Sequence, residues 1–252
     1  MIRTGYLICA TPRSGSGLLS TSLTATGVLG EPDEYFSRAA THHNLGRWGI
    51  RDPSSTPQTP KAIQGADYLA RVRAAATIDG VLGLTIHWYQ YLCQRNLGLL
   101  TDMLEVFPPS VRASVKIVHL VRQDRLGQAI SRVIADATRV YYIRRGEPVA
   151  VAQGYEDHLR AEPSYDTQVL DDIISMNDVD NQQWRSWITQ RGLEHLTVYY
   201  EDLCGAYGRT VREVMNFLGA HPHVPVPPPQ LVRQSSSLNE AFRQRYLLER
   251  TL

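Results

Sequence analysis

The stretch Ala10-Thr11-Pro12-Arg13-Ser14-Gly15-Ser16-Gly17-Leu18-Leu19 carries the strongest chemical signal in the chain. It follows a short apolar run and opens a segment of helical spacing. Its backbone N–H groups therefore fall at a helix N-terminus, where the dipole favours a bound anion. Gly15 and Gly17 permit close approach of the backbone, Ser14 and Ser16 add hydroxyls, and Arg13 adds a permanent cation. The nucleoside-triphosphatase pattern Gly-x-x-x-x-Gly-Lys-Ser/Thr is absent, and with it the lysine and the magnesium-binding hydroxyl. The plain alternative is a Gly/Ser turn joining strand to helix.

Gly30-Glu31-Pro32-Asp33-Glu34-Tyr35-Phe36 places three carboxylates within four residues, one helix length after that loop. Such clusters usually mark solvated loops. Beside an anion site a carboxylate is unexpected unless it takes a proton from something delivered there. Tyr35 and Phe36 offer rings to flank a small ligand. A third stretch, His119-Leu120-Val121-Arg122-Gln123-Asp124-Arg125 with Gln128 and Ser131, begins at the end of the most apolar predicted strand, where open parallel sheets place ligands. Arg122 and Ser131 offer a charged fork and a hydroxyl to a second phosphate. A strand-end arginine that caps its own helix is an equal alternative.

The elements that must hold these groups follow from periodicity. Residues 6–10, 81–86, 115–121 and 196–200 read as buried strands. Helices are predicted over 18–25, from about 89, and over about 125–143, 166–190, 207–218 and 238–249. Strands alternating with helices imply an α/β fold, a central parallel sheet flanked by helices, in one domain over 1–252. Residues 37–67 show little periodicity and contain Pro53, Pro57 and Pro60, so 37–79 is expected to form a loop or lid. Residues 221–229 are proline-rich and read as a rigid extended linker to the last helix.

Composition bounds the reading. With 43% hydrophobic and 20% charged residues in 252, the chain is ordinary globular material rather than disordered or fibrous. A net charge of +1 gives no electrostatic footprint for nucleic acid. Only Lys61 and Lys116 are lysine, so most cationic sites are planar guanidinium forks suited to tetrahedral anions. Cys9, Cys93 and Cys204 are too few for a disulfide framework, and no run nears the roughly 18 apolar residues of a membrane span. With no signal peptide at the N-terminus, a cytoplasmic enzyme is expected. His42-His43 and the His221/His223 pair lack further ligands at metal spacing, so no metal is expected. Trp184 and Trp187 read as helix–core contacts, and Trp48 and Trp88 as acceptor-pocket candidates. Asp171, Asp172, Asp178 and Asp180 read as a solvated helix face, and Arg144-Arg145 as helix C-terminal charge.

The chain resembles the sulfotransferases, and among them the bacterial Stf0 type. The matching features are Pro12-Arg13-Ser14-Gly15-Ser16, Gly27-Val28-x-Gly30-Glu31-Pro32-x-Glu34-Tyr35-Phe36, and Gly80-Val81-x-Gly83 with Trp88 and Gln90. They continue with Val121-Arg122-x-Asp124, Gln128-Ala129-x-Ser131, Trp184-Arg185-x-Trp187, Tyr200-Glu201-Asp202-Leu203, Arg233-Gln234 and Arg245-Tyr246. The resemblance implies a fold related to P-loop kinases and transfer of a sulfonyl group from 3′-phosphoadenosine 5′-phosphosulfate (PAPS) to a hydroxyl of a small acceptor, a sugar or a glycosylated metabolite. By that resemblance Arg13, Ser14, Gly15, Ser16 and Gly17 hold the 5′-phosphosulfate, Arg122 and Ser131 the 3′-phosphate, and Arg233-Gln234 close over the adenosine. Glu34 is the implied general base, with Glu31 the lesser candidate; Arg13 stabilises charge on the bridging oxygen, and His87 assists near the acceptor. No metal is implied, and relatives allow a homodimer. Two positions depart from the family pattern: Thr85 stands where relatives usually carry lysine, and Gly17 where a second hydroxyl residue is common. A P-loop kinase and a non-catalytic nucleotide-binding protein remain the rival classes.

Overall fold

The computed structural model describes residues 1–49, 61–146 and 161–251. The chain opens with β1 (Thr4–Ala10), whose alternate side chains enter two different cores. Leu7 and Cys9 face one cluster, while Tyr6, Ile8 and Ala10 face the other. A strand covered on both sides has no polar face to keep, so its sequence reads as one continuous apolar run. After β1 come α1 (Ser16–Thr24), α2 (Arg38–Arg47), α3 (Lys61–Ala76), β2 (Thr77–Ile78), β3 (Val81–His87) and α4 (Trp88–Asn96). The second half holds β4 (Lys116–Val121), α5 (Arg125–Thr138), α6 (Thr167–Arg191), β5 (His195–Tyr199), α7 (Tyr200–Gly205), α8 (Tyr207–Leu218) and α9 (Ser237–Thr251).

The sheet order is β2-β3-β1-β4-β5. β3, β1, β4 and β5 run parallel, and the short β2 adds an antiparallel edge on β3 that the all-parallel expectation lacked. Ala10 is level with His87 on one neighbour and with Leu120 on the other. The chain thus leaves β1 for β3 on one side and then returns to β4 on the other. That arrangement opens a crevice at the carboxyl ends of β3, β1 and β4. The glycine loop and Arg122 follow directly from those ends, and His87 is the last residue of β3. One core joins the sheet to α3, α4 and α6 through Tyr68, Val72, Trp88, Tyr91 and Trp184. The opposite core joins it to α1 and α8 through Leu19, Leu23, Val211, Val214 and Met215.

Several expectations are corrected. The region expected to be a loop or lid carries α2 and α3, the former capped by Ser37, whose side chain accepts from the Ala40 N–H at 3.1 Å. Pro53, Pro57 and Pro60 lie outside the described residues, as does the side chain of His42. The helix predicted over 125–143 stops at Thr138, where Arg139 takes a left-handed conformation (φ 57°) and ends it. Arg144 and Arg145 are therefore no helix terminus; they run beside 230–231, with the Arg145 N–H donating to the Gln230 carbonyl at 2.8 Å. Of the acids of α6, only Asp172 is exposed as expected; the other three are engaged or buried. Asp171 accepts from Tyr246 at 2.6 Å, Asp178 pairs with Arg125 at 3.1 Å, and Asp180 is buried. Trp184 is wholly buried, its indole N–H donating to the Ala10 carbonyl at 3.1 Å. Within 221–229 the chain first turns, the Val224 N–H donating to the His221 carbonyl at 2.9 Å, before it becomes extended.

Candidate active site

The loop between β1 and α1 is braced from beneath. Ser14 Oγ donates to the Thr11 carbonyl at 2.7 Å, and the buried Gln128 donates to Thr11 Oγ1 at 2.9 Å and to the Pro12 carbonyl at 2.6 Å. Ser14 is thus turned into the loop rather than outward, unlike the sequence expectation. Arg13 sits at φ 63°, a conformation that L side chains adopt at a cost. Gly15 has φ 93°, and a Cβ there would lie 2.7 Å from the Tyr200 ring, so only glycine fits. No side chain caps α1 and its first turn holds no acid, which leaves the N–H groups at its start for an anion. Gly17 lies in that first turn, with Leu231 at 3.4 Å from where a Cβ would stand.

Two guanidinium groups meet at this loop. Arg13 donates from Nε to Ser131 Oγ at 3.0 Å, from Nη2 to Gln234 Oε1 at 2.8 Å, and from Nη1 to the Tyr141 carbonyl. Arg122 donates to the Arg13 carbonyl at 3.2 Å and lies 4.4 Å over the Tyr200 ring; its buried Nε has no partner among the described residues. Burial, and then the neighbouring Arg122 charge, lower the Arg13 guanidinium below its ordinary value. Paired cations in a half-buried site create a field that a bound dianion would relieve. A cavity of about 190 Å³ beside Arg13 is lined by Ser131, Thr138, Gln234 and Asn239. Arg122 also borders a larger space of about 500 Å³, shared with Gln123, Arg125, Asn181, Gln182 and Arg185. Ser131 and Gln234 thus gather on Arg13. Arg233 is exposed, and its charge is felt at Tyr200.

The acidic segment is tied to the sheet rather than solvated. Gly30 passes the sheet edge at φ 74°, where a Cβ would stand 2.7 Å from the Val81 carbonyl oxygen. The Glu31 N–H donates to the Ala76 carbonyl at 3.0 Å, and the Thr85 N–H to the Asp33 carbonyl at 3.2 Å. Thr85 is buried and its hydroxyl donates to the Pro32 carbonyl at 2.7 Å, so this position serves the segment and presents no cation to a ligand. Glu34 is thereby delivered to the start of α1. Ser16 Oγ donates to Glu34 Oε1 at 3.3 Å, and His87 Nε2 lies 3.5 Å from the same oxygen and 3.4 Å from Ser16 Oγ. Burial lowers the His87 ring below its ordinary value, against the opposing pull of Glu34. Glu31 is exposed and, by its backbone bond to Ala76, belongs to the sheet edge.

The aromatic candidates separate by burial. Phe36 and Tyr35 belong to the core, as does Trp88, which packs edge-on against Trp184 at 4.8 Å. These rings were expected to flank the acceptor. They are instead what fixes the backbone on either side of Glu34 and His87. Trp48 is half-buried against Tyr68 at 5.4 Å. The ring that does stand beside the site is Tyr89, half-exposed and 5.9 Å from the His87 ring. Tyr89, Gln90 and Tyr200 were not among the sequence candidates. Gln90 and Tyr200 had left a signal only as members of the matching family segments, and Gln90 also as the residue three positions after a strand-end histidine, the spacing of a capping box.

A model of the Stf0 sulphotransferase family matches residues 5–249. The chain belongs to the Stf0 sulfotransferase family. It is similar to the trehalose 2-sulfotransferase of Mycolicibacterium smegmatis, 31% identical over 96% of this chain and 94% of that protein. It is also similar to the trehalose 2-sulfotransferase of Mycobacterium tuberculosis, 28% identical over 97% of this chain and 94% of that one. Among solved structures, a sulfotransferase from Alicyclobacillus acidocaldarius aligns over 99% of this chain and 93% of its own, with 13% identity and a TM-score of 0.49. The family match over residues 5–249 and the two curated relatives make the molecule a sulfotransferase. Among the described residues of this Stf0 enzyme, no cluster of three His, Cys, Asp or Glu side chains could hold a metal ion, and no helix is long and apolar enough to cross a membrane.

Proposed function

We propose that this sulfotransferase moves a sulfonyl group from PAPS to a hydroxyl of a small sugar or of a glycosylated or hydroxylated metabolite, by in-line displacement without a metal. The observation that carries the reading is the 3.3 Å contact between Ser16 and Glu34. It puts a carboxylate at the edge of an anion cradle, where its plain electrostatic effect is unfavourable and its use is to take a proton. The curated relatives are trehalose sulfotransferases, which supports a sugar hydroxyl as acceptor.

The residues suit the donor chemically. The uncapped start of α1, the left-handed Gly15 turn before it, and the unpartnered Arg122 Nε suit a doubly phosphorylated nucleotide. The donor, when bound, supplies the sulfonyl group and a phosphate leaving group. Arg13 and the N–H groups of Gly15, Ser16 and Gly17 would hold the 5′ end and stabilise charge on the bridging oxygen. Arg122 and Ser131 would hold the 3′-phosphate, and Arg233 and Gln234 would lie over the adenosine. Glu34 would accept the proton of the acceptor hydroxyl.

The test compares thermal stabilisation by adenosine 3′,5′-bisphosphate with that by ATP–magnesium, then follows transfer of labelled sulfate to a panel of sugars that includes trehalose. Stabilisation by the bisphosphate alone, with label on a sugar, is the expected result. Stabilisation by ATP–magnesium instead would overturn the donor assignment. Bisphosphate binding without transfer to any hydroxyl would favour a non-catalytic role, for which the uncharged, buried Thr85 is the motivating departure.

A further inference from the structure

Gln90, third residue of α4, makes two hydrogen bonds of different character. Its Oε1 accepts from the His87 backbone N–H at 3.0 Å, closing a capping box at the start of the helix. Its Nε2 donates to Glu34 Oε2 at 2.9 Å and has the Tyr89 hydroxyl at 3.4 Å. The side chain is 1% exposed. The amide can face in one sense only. A backbone N–H can only donate, so the amide oxygen must meet His87, and the NH2 must then meet Glu34. The helix cap therefore dictates that Gln90 offers a donor, never an acceptor, to the carboxylate.

The consequence for Glu34 is that its two oxygens are no longer equivalent. Oε2 is held by Gln90, while Oε1 lies with Ser16 Oγ and His87 Nε2 at the mouth of the anion loop. Glutamate has three side-chain torsions, and a base that must meet a hydroxyl at about 2.6–3.2 Å gains from having them fixed beforehand. We propose that Gln90 is the positioning residue of this active site, pinning Glu34 through Oε2 so that Oε1 faces the acceptor hydroxyl. The proposal rests on Glu34 being the base, and adds what aims it. The other titratable or charged groups that this carboxylate acts on are His87, Tyr89, Arg13 and Asp33; Arg132 and Asp136 of α5 in turn act on Tyr89.

The test uses the full chain and two variants. Gln90→Glu keeps an oxygen for the His87 N–H, since glutamate is a standard partner in capping boxes, but sets a second carboxylate against Glu34. Gln90→Met removes both bonds at nearly the same volume. Expected for Gln90→Glu is an acid limb of the kcat profile displaced upward by about one pH unit, because two adjacent carboxylates retain a proton. Expected for Gln90→Met is a kcat about 10- to 100-fold lower without that displacement. Both should keep the wild-type affinity for adenosine 3′,5′-bisphosphate, which also reports that they fold. If both variants keep the wild-type kcat and acid limb while Glu34→Gln is inactive, Gln90 is a helix cap and no more. Nucleotide affinity falling in step with rate would also overturn the proposal. If Glu34→Gln itself retains full rate, the base assignment has failed, and the Gln90 variants are not needed to see it.

Discussion

The hydroxyl of Thr85 donates to the carbonyl oxygen of Pro32 at 2.7 Å, within a fully buried strand position. With the Thr85 N–H on the Asp33 carbonyl at 3.2 Å, it makes the acidic segment an informal extra strand along β3. Glu34 reaches the anion loop because the two residues before it are fixed in this way. Thr85→Val, nearly isosteric, leaves the Pro32 carbonyl buried without a donor. A loss of about 1–3 kcal/mol in urea unfolding is expected, together with a lower kcat. Thr85→Ser should recover most of both. Unchanged stability in the valine variant would show that the bond contributes nothing.

Glu34→Gln keeps the shape of the side chain and removes its basicity. Calorimetric binding of adenosine 3′,5′-bisphosphate should remain near wild type, while sulfate transfer drops by about 10²–10⁴. Full transfer activity would remove Glu34 from the reaction.

Arg122 contacts the loop through the Arg13 carbonyl, lies over the Tyr200 ring and has Asp124 at 3.7 Å, while its buried Nε has no hydrogen-bond partner among the described residues. Arg122→Ala should weaken adenosine 3′,5′-bisphosphate by about 10- to 100-fold, the range for a lost charge-assisted bond to phosphate. Adenosine 5′-monophosphate should lose much less. Equal losses for the two nucleotides would place Arg122 away from the 3′-phosphate.

Asp180 is buried on α6, and burial, partly offset by Arg132, pushes its carboxyl up from 3.8 to about 6. The folded chain therefore keeps this proton to a higher pH than the unfolded chain. Stability attributable to it falls as pH rises from about 4 to about 6, and the deficit persists above that window. Asp180→Asn removes the deficit. Its melting temperature should exceed that of wild type at pH 8, with the gap closing toward pH 4. A gap that widens in acid would reverse the sign and refute the account.

Much of the site was legible in the chain itself. Pro12 to Gly17 between an apolar run and helical spacing marked a strand–loop–helix turn, with arginine, serine and glycine in the order that suits an anion at a helix start. Two-sided burial wrote β1, β3 and β4 as largely apolar runs, broken only by residues such as Thr85 and His119, and the C-terminal end of β4 marked where Arg122 would emerge. The acidic run after Gly30 could be read as near the cradle, but not as attached to it. That depended on hydrogen bonds from Thr85, which lies far along the chain. The aromatic residues were sorted only in part: Trp184 and Trp187 lie in the core as expected, but Trp88 and Phe36 also pack inward, while Tyr89 stands at the site. A ring's identity gives its appetite for burial, but which side of a helix meets the core is decided only when another helix, here α6 with Trp184, arrives to cover it. The bond from Gln90 to Glu34 is of the same kind. The local sequence set which way the amide points, through a cap that needs only neighbouring residues. The partner at its other end could be supplied only by the sheet, which brings residues distant in sequence to the level of one strand end.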